Sequence, residues 1–126
     1  MRKPDPTLTP QELAIMKIVW RRGAPTVRDV YEDLRATRRI AYTTVMTMMN
    51  VLLAKGYVKK DKDKDDRAFR YRSTEREGRV VGSMVREFVN RVFDGASRPL
   101  LLHLVKDRKL TAEERNEIAR LIREKP

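Results

Sequence analysis

The side chains best suited to chemistry in this sequence form one face of a predicted helix over residues 41–55. The five residues on that face are uncharged and able to meet a base edge: Thr43, Thr44, Met46, Thr47 and Asn50. In the major groove of DNA, Thr and Asn hydrogen-bond base edges, and the methyl groups of Thr and Met contact thymine methyls. An ordinary solvent-facing helix in so charged a chain would carry Lys and Glu, so this face predicts base readout.

Cationic side chains surround this helix in the sequence. The first 74 residues contain 17 Lys and Arg against 9 Asp and Glu, whereas the rest contain 12 against 9. Such residues suit the phosphate backbone, where they give affinity and salt dependence rather than sequence choice. The charge alone also fits a solvated surface, but its position favours DNA. The expected backbone contacts are Arg38, Arg39, Tyr42, Lys55, Lys59, Lys60, Lys62, Lys64, Arg67 and Arg70, with Arg72 beside them.

Catalytic and metal-binding sites are not predicted. His103 is the one histidine of the chain and lies in a leucine-rich segment, where a residue packed in the core or at an interface is a simpler interpretation than a base or ligand. The sequence has no cysteine, no Gly-rich phosphate loop and no HExxH or GxSxG motif. The carboxylate pairs Asp65–Asp66 and Glu113–Glu114 fit a turn and a helix start. We therefore expect no enzyme, cofactor or metal, since even a small hydrolase would lack its catalytic group.

Length and composition indicate one small soluble protein. The 126 residues suit one domain, or one module with a short appendage. Hydrophobic residues make up 40% and charged residues 37%, which is too apolar for a fully disordered chain. No apolar run approaches the roughly 18–20 residues of a membrane span, and no signal-peptide core follows the first residues. With no cysteine and a net charge of +11, the sequence predicts a cytoplasmic protein with a polyanionic partner, nucleic acid first.

Three helices and a two-stranded ribbon are predicted to position the readout face. Thr9 and Thr26 are each followed three residues later by an acidic residue, which is the spacing of a capping box at a helix start. After the third helix, two extended runs at 57–62 and 67–72 are joined by an acidic turn. This order is typical of a winged helix-turn-helix, which we assign to residues 7–73.

The aromatic side chains of this part are expected in its core. Trp20 continues the apolar face of the first helix and is expected to anchor the core rather than stack on a base. Phe69 and Tyr71 alternate with polar neighbours, as in a half-buried strand, and Tyr57 precedes the first run. Sequence-specific RNA recognition commonly stacks bases on exposed aromatic residues. Since none is expected here, double-stranded DNA is favoured over RNA.

Residues 74–124 are predicted to form a three-helix dimerisation region, which makes the fold mainly α. A capping box at Thr74 starts a long helix to about Phe93, a short helix at 99–105 is apolar nearly all round, and a capping box at Thr111 starts the last helix. So short a segment cannot hide so many apolar faces, and a two-fold homodimer is expected to cover them. The expected dimer contacts are Val81, Met84, Val85, Phe88, Val92, Leu100, Leu101, Leu104, Ile118, Leu121 and Ile122.

Several blocks of the sequence resemble the penicillinase-repressor family of regulators, of the BlaI, MecI and CopY type. They follow the family's order from the first helix, through the recognition helix and the second strand of the wing, to the dimerisation region. The resembling blocks include LTPQELAIM at 8–16, AYTTVMT at 41–47, RAFRY at 67–71, FDGA at 93–96 and LTAEE at 110–114.

The resemblance implies a homodimeric winged-helix repressor that binds inverted-repeat operators. In the antibiotic-resistance members the repressed genes encode a β-lactamase or a resistant penicillin-binding protein. A membrane sensor protease there triggers cleavage of the repressor at an Asn-Phe bond. His103-Leu104 stands at that position here, so induction by this cleavage is not expected. Val51 stands where members often carry Arg, and the lack of cysteine sets aside the copper sensing of the CopY branch.

Two functions stay open on the sequence. The leading hypothesis is a dimeric, sequence-specific DNA-binding repressor with its third helix in the major groove. The alternative is a winged-helix adaptor that binds other proteins and whose basic surface is incidental. Equal, weak binding to palindromic and scrambled duplexes would favour the adaptor.

Overall fold

The computed structural model describes residues 8–62, 68–107 and 110–124 of the chain. Within these ranges the fold is mainly α, with six helices and one two-stranded antiparallel sheet. Two compact units divide between Met84 and Val85, inside the fourth helix. In chain order the elements are α1 (Pro10–Arg22), α2 (Val27–Arg35), α3 (Tyr42–Lys55), β1 (Val58–Lys62), β2 (Phe69–Ser73), α4 (Glu77–Phe93), α5 (Ser97–Lys106) and α6 (Ala112–Glu124).

The capping boxes predicted for the first two helices are confirmed. The hydroxyl of Thr9 accepts from the N–H of Glu12 at 3.1 Å, and the Glu12 carboxylate accepts from the Thr9 N–H at 3.0 Å. Thr26 and Asp29 repeat this arrangement at 3.1 and 3.0 Å. Because these bonds satisfy N–H groups that a helix start leaves unpaired, they fix where α1 and α2 begin.

Helix α3 has no side-chain cap at its start and a glycine at its end. Ala41 occupies the N-cap position with extended backbone and without a side-chain hydrogen bond. Gly56 ends the helix at φ 89°, a left-handed conformation that its missing Cβ permits. The chain then enters β1 within two residues, so the ribbon follows α3 directly.

One core holds the first unit together. Trp20 packs against it, and its indole N–H donates to the Ser73 hydroxyl at 2.9 Å and to the Glu75 carbonyl at 3.0 Å. Trp20 is thus a core residue that ties α1 to the end of β2, as expected. The buried apolar side chains are Leu8, Ile15, Met16, Ile18, Val19, Val30, Leu34, Val45, Met49, Leu52, Tyr57, Val58, Tyr71 and Val80.

The ribbon of β1 and β2, the wing, is covered by the core only at its base. Val58 and Tyr71 at the base are buried, and the N–H of Tyr71 donates to the Pro25 carbonyl at 2.9 Å. Farther out, Phe69 pairs with Lys62 and exposes 44% of its surface. The predicted core position of Phe69 is therefore wrong, because the ribbon extends beyond the helices that would cover it. The turn predicted between the strands lies outside the described residues.

The start of α4 differs from the prediction. The helix begins at Glu77, and the Thr74 hydroxyl donates to the carbonyls of Gly56 and Tyr57 at 2.7 and 3.2 Å. The capping box predicted at Thr74 is wrong, because this side chain joins the end of β2 to the end of α3. The first part of α4 belongs to the first unit, where Met84, predicted as a dimer contact, packs against the core.

The second unit contains the end of α4 together with α5 and α6. Thr111 caps α6 as predicted: its hydroxyl accepts from the Glu114 N–H at 3.1 Å, and the Glu114 carboxylate accepts from the Thr111 N–H at 2.9 Å. The Phe93 ring lies 5.9 Å from the Phe88 ring and 6.0 Å from the His103 ring, between centroids. No residue of α5, which is described throughout, is buried within the chain.

Candidate nucleic-acid interface

The exposed face of α3 is uncharged along its whole length. Val51 lies on this face as well and exposes 36% of its surface, although the sequence analysis did not include it. The opposite face is fixed by burial, since Val45, Met49 and Leu52 are fully covered. The core therefore determines which side chains α3 presents. All five predicted readout residues are exposed, namely Thr43, Thr44, Met46, Thr47 and Asn50.

The hydroxyl of Thr47 has its proton directed into the helix. Its Oγ1 donates to the carbonyl oxygen of Thr43 at 3.0 Å. A hydroxyl carries one donor and two acceptor lone pairs, so Thr47 presents its lone pairs and its methyl group outward. Sequence alone left Thr47 as donor or acceptor, and in this conformation it can only accept from a base.

The first turn of α3 favours an anion. Its N-cap residue, Ala41, offers no side-chain acceptor, and the first turn contains no acidic residue. Free backbone N–H groups and the helix dipole attract phosphate at such a position. Arg38 and Arg39 are exposed immediately before the helix. Both observations place positive potential at the start of the readout face.

The wing presents lysines and one exposed aromatic ring. Lys59, Lys60 and Lys62 are all exposed along β1. The ammonium of Lys60 lies 4.7 Å from the centroid of the Phe69 ring, at cation–π distance. Phe69 thus supports a cation at the surface, a role that its alternation in the sequence did not indicate. Two other predicted contacts, Lys64 and Arg67, lie outside the described residues.

Two predicted backbone contacts are engaged within the first unit. Lys55 Nζ donates to Glu12 Oε1 at 2.8 Å, and Glu12 is buried. Arg70 donates to the Ala24 carbonyl at 3.0 Å and lies 3.8 Å from the Asp29 carboxylate. Their positions in the sequence resemble those of the surface cations, but the fold brings acceptors to them. Lys55 and Arg70 therefore join elements of the unit.

Two carboxylates of the first unit have pKa values below their ordinary range. The hydrogen bond from Arg22 lowers the pKa of Asp33 to about 2. Burial raises the pKa of Glu12, but hydrogen bonds from Lys55 and Thr9 outweigh it, so the pKa is lowered overall. Both groups are ionised at neutral pH and paired with cations. They stabilise the fold and do not resemble a general acid or base.

A stack of guanidinium and aromatic groups joins α2 to α3, and the sequence analysis missed it. The rings of Tyr31 and Tyr42 meet edge to face with centroids 5.4 Å apart. The Arg28 guanidinium lies 5.1 Å from the Tyr42 centroid, and that of Arg35 lies 5.4 Å from the Tyr31 centroid. Glu32 lies 3.7 Å from Arg28 and 3.6 Å from Arg35. Tyr31 and the two arginines share one face of α2 at helical spacing, which was the available signal.

Four of the eleven predicted dimer contacts are exposed in the single chain. Phe88 exposes 41% of its surface and Leu121 exposes 55%, and Val85 and Val92 are exposed as well. Leu102 and Val105 of α5 are also exposed, although they were not predicted. The side chain of Ile122 lies outside the described set. The remaining predicted contacts are half-buried, namely Val81, Met84, Leu100, Leu101, Leu104 and Ile118.

Other kinds of site find no support in the described ranges. Among these residues no group of His, Asp and Glu side chains could hold a metal ion. None of the helices described is both long and apolar enough to cross a bilayer.

Solved structures of DNA-binding proteins resemble this fold. The solution structure of monomeric BlaI from Bacillus licheniformis in complex with the blaP half-operator matches with a TM-score of 0.52 and 27% identity. That match covers 62% of this chain and 92% of BlaI. A MarR mutant from E. coli matches with a TM-score of 0.56 over 92% of this chain and 76% of its own, at 17% identity, which is a likeness of fold. These neighbours confirm the predicted winged-helix fold.

Sequence relatives agree along nearly the whole chain. The transcriptional regulator BlaI of Mycobacterium tuberculosis is 37% identical over 115 residues, which cover 90% of this chain and 80% of that protein. The penicillinase repressor of Bacillus licheniformis is 26% identical over 97% of this chain and 94% of its own. The sequence profile described as penicillinase repressor matches residues 8–124. The chain therefore belongs to the penicillinase repressor family and is a DNA-binding transcriptional repressor.

Proposed function

We propose that this repressor works as a homodimer on an inverted-repeat operator. Each chain places α3 in the major groove of one half-site, and its wing lies along the phosphate backbone. The observation that carries this proposal is the uncharged, exposed face of α3 between cationic segments, Arg38 and Arg39 before it and the lysines of β1 after it. A surface that served solubility alone would have no reason to exclude charge from this one face.

The dimensions of α3 suit the major groove. A helix with its side chains is about 10–12 Å across, and the groove is about 12 Å wide. The short side chains of Thr43, Thr47 and Asn50 let the helix approach the base edges closely. The open first turn of α3 supports a phosphate at the edge of the groove. We assign base readout to Thr43, Thr44, Met46, Thr47 and Asn50.

The backbone contacts are assigned to exposed cations. Arg38, Arg39, Lys59, Lys60 and Lys62 fit this role, and we retain Lys64 and Arg67 in the proposal on sequence grounds. Tyr42 is retained from the sequence prediction and Arg28 is added, because the ring of Tyr42 at the start of α3 limits the positions that the Arg28 guanidinium can take. Such a guanidinium loses less conformational freedom when it binds phosphate.

The dimer is proposed from the uncovered apolar surface. Phe88, Val92 and Leu121 expose large apolar areas that a second chain would remove from water. A two-fold axis then relates two α3 helices, and half-sites about 34 Å apart, one turn of DNA, would receive them. We propose residues 7–73 as the DNA-binding part and 74–124 as the dimerisation region.

The biological setting is proposed from the relatives. Operator binding requires access to the chromosome, so the site of action is cytoplasmic. Relatives named as methicillin-resistance and penicillinase regulators make resistance genes the candidate targets. The proposal includes no membrane sensor protease that cuts between His103 and Leu104, because the family's Asn-Phe pair is absent there.

Selection of bound duplexes from a random pool tests the proposal. We expect an inverted repeat with half-sites spaced by about one helical turn. Asn50→Ala should then weaken binding about tenfold or more at particular base pairs. Lys60→Ala should weaken binding to all duplexes alike and lower the salt dependence of log Kd by about one unit.

Two results would contradict the proposal. Equal, weak binding of selected and scrambled duplexes would favour a protein-binding adaptor instead. Uniform and equal losses from Asn50→Ala and Lys60→Ala would show that the division between base readout and backbone contact is incorrect.

A further inference from the structure

We infer that α3 reads the methyl groups of thymine, so the half-site places T·A pairs opposite the centre of this helix. This inference rests on the proposed function, because it names the bases that the readout face would select. It is carried by the chemistry of the exposed side chains of α3.

Two apolar side chains flank the central row of the face. Met46 exposes 43% of its surface and Val51 exposes 36%, on either side of the row formed by Thr43, Thr47 and Asn50. The folded chain leaves each of these two side chains partly exposed. In the major groove, the C5-methyl of thymine is the apolar group that a base pair presents. Met46 and Val51 therefore match thymine and none of the other three bases.

Guanine lacks its usual partner on this helix. The commonest specific contact to guanine is a bidentate one from Arg or Lys. Within α3, all of whose residues the structure describes, Lys55 is the one cationic side chain, and it donates to Glu12 at 2.8 Å. The helix therefore presents no long cationic donor to a guanine edge.

The polar groups of the face fit the adenine of a T·A pair. Thr47 directs its proton to the Thr43 carbonyl, so it can accept from the N6 amino group of adenine and cannot donate to guanine. Its methyl group is left for a neighbouring thymine. The exposed amide of Asn50 can bind adenine at N6 and N7. Methyl contacts and amide contacts thus select the same base pair from its two sides.

Replacement of thymidine by deoxyuridine tests this inference. The selected half-site is synthesised with one T at a time replaced by U, which removes the methyl group and keeps the base pair. We expect Kd to rise about fourfold for each methyl group that α3 contacts. We expect no change at positions outside the α3 footprint.

Variants assign each methyl to a side chain. Val51→Ala and Met46→Ala should each abolish the difference between T and U at one position, and their thermal unfolding should match that of the parent because both residues are exposed. Lys60→Ala serves as the control. It should weaken both duplexes equally and leave the ratio of the two Kd values unchanged.

The outcomes separate this inference from the proposed function. If the protein distinguishes its half-site from scrambled DNA and deoxyuridine changes Kd at no position, the thymine inference is overturned and the proposed function stands. A half-site with G·C pairs opposite the centre of α3 would overturn it in the same way. If no half-site emerges from the pool, the proposed function fails and the inference fails with it.

Discussion

Leu52 in α3 is fully buried, whereas Leu121 in α6 exposes 55% of its surface, and the same contrast runs through the two units of the chain. Apart from Met46, Val51 and Phe69, the first unit covers its large apolar side chains with its own helices and the base of the wing. In the second unit, Phe88, Val92 and Leu102 stay uncovered. Both units have amphipathic helices, and each unit contains a helix that starts with a capping box. Local helix signals therefore do not tell whether an apolar face is covered by its own chain.

The largest effect is expected from a charge placed on the exposed apolar surface of the second unit. Phe88→Asp places a charge on the uncovered apolar face, and burial of an unpaired charge is strongly unfavourable. We expect the dissociation constant of the dimer to rise about a thousandfold, or about 4 kcal/mol, in sedimentation experiments. Asn90→Asp is the control, since it adds the same charge on an exposed polar position of α4. A Phe88→Asp protein that stays dimeric at micromolar concentration would place the interface elsewhere.

Two leucines allow the units to be compared directly. Leu52→Ala leaves a cavity in a closed core and should lower the free energy of unfolding by about 3 kcal/mol at any protein concentration. Leu121→Ala removes surface that only a partner can cover, so its effect should appear as a concentration-dependent loss. Urea unfolding at two concentrations distinguishes them. If both losses depended on concentration, the core of the first unit would not be self-sufficient.

A smaller effect is expected at Lys55. Lys55→Met keeps the apolar stem but leaves the buried carboxylate of Glu12 without this partner. Since Lys55 is itself partly exposed, we expect a loss of about 2 kcal/mol in the free energy of unfolding. The affinity for DNA should change less than about twofold. Lys60→Met should instead weaken DNA binding and leave the free energy of unfolding nearly unchanged. If Lys55→Met weakened DNA binding as Lys60→Met does, Lys55 would be a phosphate contact after all.

The smallest effect is expected at Asp33. Its pKa of about 2 lies below the ordinary 3.8, so the ionised form stabilises the folded state above about pH 4. That contribution is lost as the pH falls from about 4 to 2. Because Arg21 and Arg22 are exposed, Asp33→Asn should cost about 1 kcal/mol or less at neutral pH. The free energies of unfolding of parent and variant should converge towards pH 2. A difference that persists at pH 2 would show that the ionised carboxylate of Asp33 is not its cause.

The sequence predicted the elements more successfully than their surroundings. Capping boxes at Thr9, Thr26 and Thr111 depend on residues three apart, so local chemistry is enough to find them. Thr74 has the same spacing but its hydroxyl binds carbonyls at the end of α3. Phe69 alternates like a buried residue but lies beyond the reach of the core. Thr74 has a hydrogen-bond partner that is distant in sequence, and Phe69 lacks, in the described part of the chain, a distant residue that would cover it. The local sequence shows neither.

The candidate site likewise has a part that the sequence predicted and a part that it did not. The uncharged face of α3 follows from helical periodicity and was predicted residue by residue, with Val51 and Ala54 as the omissions. The surroundings depend on tertiary contacts: Lys55 meets Glu12, and Arg28 meets Tyr42 from the preceding helix. Spacing along the chain does not reveal such tertiary contacts. The direction of the Thr47 proton likewise requires the helix to be formed.

The position of Trp20 has a spectroscopic consequence. It is the only tryptophan of the chain, and all four tyrosines lie before Met84 as well. The fluorescence of tryptophan and tyrosine therefore originates entirely in the first unit, with an indole whose N–H is bonded to Ser73 and Glu75. Far-ultraviolet circular dichroism, in contrast, registers the helices of both units. Melting curves recorded by the two methods will separate if the second unit loosens first, and no introduced label is needed to observe it.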